Sequence, residues 1–174
     1  MVKRMIFDTH AHYMDERFAE DREVLLASLR DAGVGNVVEV GASIQSTKDA
    51  VALSGKYDFV YSAVGVHPDG VPEMTDETIE WLKGLTGEPK VVAIGEIGLD
   101  YYYDEPDREL QKKWFIRQLE AAKETKMPVI IHSRDAAQDT LQIMDEHCDW
   151  SQGGVIHCFS YTVETAKIYL RDRK

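Results

Sequence analysis

Short apolar runs alternate along the chain with longer stretches of helical spacing. The runs, rich in Val and Ile, fall at Met5 to Phe7, Asn36 to Val40, Phe59 to Val66, Val91 to Ile97, Val129 to Ile131 and Val155 to Ile156. Runs this short with little polar alternation suit strands buried on both faces. After the first, Leu25, Leu29 and Ala32 share a helical face, with Gly33 as the stop. Thr47, Ala50, Val51, Leu53 and Ser54 give a second helix before Gly55. Thr75 to Leu85 gives a third, with Thr75 as N-cap. The fourth has Pro106 in its first turn, Asp104 or Glu105 as cap, and Leu110, Trp114, Phe115, Leu119 and Ala122 as its apolar face. A fifth runs from about Asp135 to Glu146 on Ala137, Leu141 and Met144, and a sixth begins near Thr162. This alternation predicts a parallel α/β architecture with right-handed crossovers, in one continuous unit over residues 1–174.

Charge narrows the function. The 174 residues carry 20 Lys and Arg against 31 Asp and Glu, a formal net charge of -11. That excludes a broad basic surface gripping nucleic acid by counterion release. A phosphate substrate stays open, because a bound metal can supply positive charge locally. The apolar runs fall far short of the ~20 residues of a membrane span. No signal-like hydrophobic region develops between Met1 and Asp8. Cys148 and Cys158 are the only cysteines and read as small buried hydrophobes, so the expected compartment is the cytoplasm.

The chemistry sits at the predicted strand ends. His10 and His12 follow the first run, and a strand period of two puts both imidazoles on one face. Glu96 is an anion inside Val92-Ala93-Ile94-Gly95-Glu96-Ile97, where it is costly unless paired or bound to a cation. His132 closes the fifth run and His157 the sixth. In parallel α/β folds the C-terminal strand ends converge on one face. Five nitrogen and oxygen donors there exceed the three of a simple catalytic zinc site. They suit two divalent ions (zinc, manganese, magnesium, nickel or iron), with Glu96 bridging, His10 and His12 on one ion, and His132 and His157 on the other. A hydroxide between the ions is the expected nucleophile.

Further residues carry readings of their own. His67 touches substrate, ligates weakly, or is a hydrogen-bonded structural histidine. Arg134 forms a bidentate pair with phosphate or an ordinary pair with Asp135. Asp100 orients a ligand histidine, and Asp8 holds the strand end by local hydrogen bonds. Tyr101, Tyr102 and Tyr103 stack on a base or pack on the following helix. Ser133 and Ser160 have no identifiable base and are not nucleophile candidates.

The motifs Phe7-Asp8-Thr9-His10-Ala11-His12, Gly65-Val66-His67-Pro68, Gly95-Glu96-Ile97-Gly98-Leu99-Asp100, Pro128-Val129-Ile130-Ile131-His132-Ser133-Arg134 and His157-Cys158-Phe159-Ser160 occur in that order. Together they resemble the TatD family of metal-dependent deoxyribonucleases, in the amidohydrolase-like superfamily. The resemblance implies a TIM-like (β/α)8 barrel and a two-metal site cleaving DNA phosphodiesters, in the manner of a 3′–5′ exonuclease. It implies His10, His12, Glu96, His132 and His157 as metal ligands. It makes His67 and Arg134, with Glu96, the catalytic and substrate-contacting set. DNA, single-stranded or at its ends, is the implied partner.

About six of the eight units expected of that barrel, β1/α1 to β6/α6, are recognisable, and no counterpart of the family's later aspartate ligand follows His157. The chain is therefore expected to be a fragment or shortened product, or to be completed by another chain. Open edges on strands one and six, beside the polar tail Arg171 to Lys174, are expected to favour self-association. Two other functions compete: amide or ester hydrolysis at a related binuclear centre, and an inactive remnant that binds metal without turnover.

Overall fold

The computed structural model describes residues 5–103 and 105–170. Residues 1–4, Asp104 as a helix cap and the polar tail at 171–174 lie outside the described residues. Strand and helix alternate as β1 Ile6–Ala11, α1 Arg22–Ser28, β2 Val34–Val40, α2 Ile44–Ser54, β3 Val60–Val64, α3 Asp76–Leu85, β4 Val91–Asp100, α4 Arg108–Thr125, β5 Val129–Arg134, α5 Ala137–His147, β6 Gly154–Ile156 and α6 Val163–Leu170. The six strands form one sheet in chain order, each pair parallel.

The sheet curls into a nearly closed barrel. Phe7 and Thr9 of β1, Val38 of β2, Tyr61 of β3, Ala93 of β4, Ile130 of β5 and Val155 of β6 all line one cavity of ≈ 310 Å³, which a flat sheet could not enclose. The helices pack outside. Trp114, Phe115 and Leu119 of α4 are fully or almost fully buried with Ile94, Ile97 and Leu99 of β4 in the main core. Each such side chain contributes about 1.5–3 kcal/mol by leaving water.

Local chemistry sets the helix starts. Ser43 and Thr75 cap α2 and α3 through reciprocal bonds with Ser46 and Thr78. For α4 the cap is Asp107 and not Glu105. Asp107 accepts hydrogen bonds from the N–H groups of Glu109 and Leu110, so Pro106 stands before the helix rather than in its first turn. The fifth helix begins at Ala137 because Asp135 takes a left-handed φ of 53°. Arg134 consequently ends β5 instead of opening a helix. The buried face of α5 is Thr140, Ile143 and Met144, while Leu141 is only partly covered.

Other differences lie near the open edges. Cys148 is half-buried and Cys158 exposed, the latter at φ 46° where the chain turns sharply after β6. Among the described residues β1 pairs only with β2 and β6 only with β5. Ile6 and Phe7 on β1 are 60% and 55% exposed. An apolar groove of ≈ 340 Å³ runs beside β6 and α6, lined by Trp150, Ile156, Phe159, Tyr169 and Leu170.

Candidate metal centre

Five strand tips deliver ionisable side chains to one end of the barrel. β1 carries His10 and, one residue past its end, His12. β4 carries Glu96 and Asp100, β5 carries His132, and His157 follows β6. His67 follows β3 and caps a 3-10 turn over Pro68–Glu73, its Nδ1 accepting the Asp69 N–H at 3.2 Å. Gly98 lets the tips of β4 and β5 meet closely: at its φ of 148° a Cβ would fall 1.9 Å from the His132 carbonyl oxygen.

Glu96 lies at the centre, 4% exposed. Its Oε2 faces His10 Nε2 at 3.4 Å and His12 Nε2 at 3.7 Å. Its Oε1 faces His132 Nδ1 at 2.9 Å and His157 Nε2 at 2.6 Å, with His67 Nε2 farther off at 3.9 Å. The two oxygens of one carboxylate thus address two imidazole pairs. Within the pairs, the His10 and His12 Nε2 atoms are 3.0 Å apart, and His132 Nδ1 is 3.2 Å from His157 Nε2. Burial pushes the Glu96 carboxyl up, but His10, His132 and His157 together outweigh it and hold the group ionised, well below the usual range.

Surrounding groups fix the rings. His12 Nδ1 donates to the Val40 carbonyl at 2.9 Å, which leaves the Nε2 lone pair facing the cluster. Burial and the neighbouring His10 lower the His12 pKa, favouring the neutral form that ligates a cation. Burial lowers His67 as well, helped by His132 beside it. Burial would lower His132 too, but Glu96 and Asp100, whose Oδ2 lies 3.1 Å from His132 Nε2, raise it instead. Asp8 accepts the His10 backbone N–H at 3.1 Å, a local bond at the strand end.

The donor set suits divalent cations. Three triads, His10/His12/Glu96, Glu96/His132/His157 and His67/Asp100/His132, each bring their ligand atoms within 4.8 Å of one another. The buried Nδ1 of His10 has no hydrogen-bond partner. Ring nitrogens crowded around one carboxylate cannot all satisfy each other by donation, whereas a cation uses their lone pairs together.

Four supporting residues went unrecognised in the sequence. Glu39 on β2, 1% exposed, accepts the N–H groups of Tyr13 and Met14 at 2.8 and 2.9 Å, just after His12. Burial raises its pKa to about 7, although the two backbone bonds pull the other way. Arg22 grips the same turn from outside, its Nε donating to the Tyr13 carbonyl at 2.6 Å. Glu39 carries the same signal as Glu96, an acid within an apolar run. Gln111 and Gln118 sit on the buried face of α4. Gln111 brackets Asp100, accepting from its N–H at 2.9 Å and donating to its carbonyl at 2.8 Å. Gln118 does the same for Val66, next to His67, at 2.8 and 3.0 Å.

The remaining candidates divide. Arg134 does not pair with Asp135: its guanidinium lies over the Tyr102 ring, 3.8 Å from the centroid. Tyr101 packs inward, its hydroxyl donating to Asp139 at 2.7 Å. Ser133 bonds Thr140 and Tyr161 at 2.8 and 2.9 Å, a structural role.

A nearly closed parallel barrel with clustered histidines and acids at its C-terminal rim is the architecture of metal-dependent hydrolases of the (β/α)-barrel type. The chain superposes with a TM-score of 0.89 on the crystal structure of YJJV, a TatD homologue from Escherichia coli, at 33% identity, covering 98% of this chain and 66% of that one. The family model for TatD related DNase matches residues 7–173, and the chain belongs to that family. It is 40% identical over 163 residues to the uncharacterized metal-dependent hydrolase YabD of Bacillus subtilis, covering 94% of this chain and 64% of that protein. It is 36% identical over 162 residues to the 3′-5′ ssDNA/RNA exonuclease TatD of Cronobacter sakazakii, covering 93% of this chain and 62% of that protein. The chain thus spans somewhat less than two thirds of these relatives' length.

Proposed function

We propose that the protein is a cytoplasmic metal-dependent phosphodiesterase that shortens single-stranded DNA from its 3′ end. The supporting observation is the split carboxylate of Glu96, with one oxygen toward His10 and His12 and the other toward His132 and His157. In this reading two divalent ions are held by those five side chains, and when bound they supply Lewis acidity and an acidified attacking water. Glu96 keeps the two imidazole pairs in register and stays ionised. Asp100 orients the His132 ring, and the Val40 carbonyl orients His12. His67 and Arg134 are the substrate contacts, His67 at the rim of the cluster and Arg134 with guanidinium donors for a phosphate. The name of the Cronobacter sakazakii relative supports the substrate and polarity. With a net charge of -11, the protein gains nothing from general attraction to a polyanion, which favours contact with a strand end over wrapping of a duplex.

The test is digestion of a 5′-labelled single-stranded oligonucleotide with manganese, zinc or magnesium added singly. A ladder of 3′-shortened products that requires the metal, and that Glu96→Gln abolishes with the fold intact, is expected. No metal-dependent product, or an unimpaired Glu96→Gln variant, overturns the reading.

A further inference from the structure

Beside the cluster lies an aromatic feature that the metal chemistry does not use. Tyr102 and Tyr103 turn outward, 55% and 64% exposed, with their rings edge to face at 4.7 Å. Arg134 lies over Tyr102 and reaches Tyr103 at 5.5 Å from the ring centroid. Among the described residues this guanidinium forms no ion pair. It shares a face of β5 with His132, two residues earlier, since side chains at that spacing point the same way. The tyrosine turn is tied to the cluster by one carboxylate: Asp100 accepts the Tyr102 N–H through Oδ1 at 2.9 Å and meets His132 through Oδ2. A cleft of ≈ 380 Å³ opens beside Tyr103, walled by Asp69, Pro72, Glu105 and Pro106.

The chemistry of this corner selects its ligand. The acids of the cleft repel a phosphate, while the half-exposed tyrosine rings and the flat guanidinium on Tyr102 offer stacking surface to an uncharged planar group. Two large aromatic side chains left in water side by side give up the burial that their ring area would otherwise gain. We propose that Tyr102 and Tyr103, with Arg134 stacked on Tyr102, form a platform for an unpaired nucleobase of the strand whose phosphodiester lies at the cluster. The proposal rests on the phosphodiesterase reading above. Stacking on a ring face accepts any base but needs it free of a duplex, so the platform selects unpaired strands without reading sequence.

The test is fluorescence anisotropy with two labelled, cleavage-resistant phosphorothioate strands in the presence of manganese: an oligothymidylate, and the same backbone with abasic residues. The thymidylate should bind at least about 5-fold more tightly than the abasic strand, from a stacking contribution of about 1–3 kcal/mol per base. Tyr102→Ala and Tyr103→Ala should each erase most of that difference, and Tyr102→Phe should keep it. Equal binding of the two strands by the parent protein, or undiminished discrimination in both alanine variants, overturns the platform. Digestion by the parent is measured alongside. Metal-dependent shortening without base discrimination removes the platform alone. Base discrimination without any shortening keeps the platform and removes the phosphodiesterase reading.

Discussion

His10 of β1 and His157 after β6 stack ring on ring, their centroids 3.9 Å apart and their planes 9° from parallel. The first and last strands of the described sheet are therefore joined at the rim by two side chains that share no backbone ladder. Stacked imidazoles repel if both are protonated, and both point nitrogen atoms at Glu96. Divalent cations held through the in-plane nitrogen lone pairs of these rings would take the place of such protons.

Divalent metal should stabilise the fold. An ion at 100 times its dissociation constant adds about 2.7 kcal/mol, or roughly 5–10 °C in Tm for a chain of this size. Differential scanning fluorimetry with and without manganese or zinc measures it. Glu96→Gln should lose most of the shift and reduce hydrolysis by about 100-fold or more. An equal shift in the variant would place the ions elsewhere.

Glu39 gives stability a pH dependence. Its folded pKa of about 7 lies above the ordinary 4.5, so between those values the folded chain holds a proton that the unfolded chain has released. Stability from this group is thus full below about pH 4.5 and is lost as pH rises through 7. The loss is on the order of 3 kcal/mol. Urea unfolding of metal-free protein and of Glu39→Gln at pH 5 and pH 8 isolates the effect: the parent should weaken relative to the variant at the higher pH.

Removing either buried amide of α4 should cost more than its size suggests. Gln118→Met keeps the volume but strands the Val66 N–H and carbonyl, at about 1–3 kcal/mol for each unsatisfied group. A fall of roughly 2–4 kcal/mol in urea unfolding is expected. A near-neutral result would show that water replaces the amide.

Exposed Ile6 and Phe7 on the β1 edge should drive association at raised concentration. Sedimentation velocity over a dilution series should show a concentration-dependent average mass. Ile6→Lys, a charge on the edge strand, should shift the distribution toward monomer.

Much of this was legible in the chain, and the reasons differ by residue. Each apolar run became a strand, because Val and Ile in short blocks have few alternatives once helices of matching length follow. His10, His12, Glu96, His132 and His157, which the structure brings together, stood out in the sequence as polar groups inside or at the ends of apolar runs. Glu39 bore the same mark but lay on a strand with no neighbouring histidine, so nothing drew attention to it. Gln111 and Gln118 carry no such mark, since glutamine is ordinary in a helix and only the packing shows which face is buried. Asp107 takes the cap in place of Glu105 by register, and the left-handed turn at Asp135 stands beside a contact distant in sequence, the Ala136 N–H donating to the Tyr161 hydroxyl.

The glutamines of α4 hold their neighbours by main-chain atoms alone, so the grip is indifferent to the side chains that residues 66 and 100 carry. A helix that works as a splint in this way fixes where two rim positions stand while leaving their chemical identity free. The rim can be re-equipped for a different reaction without the scaffold beneath it being rebuilt.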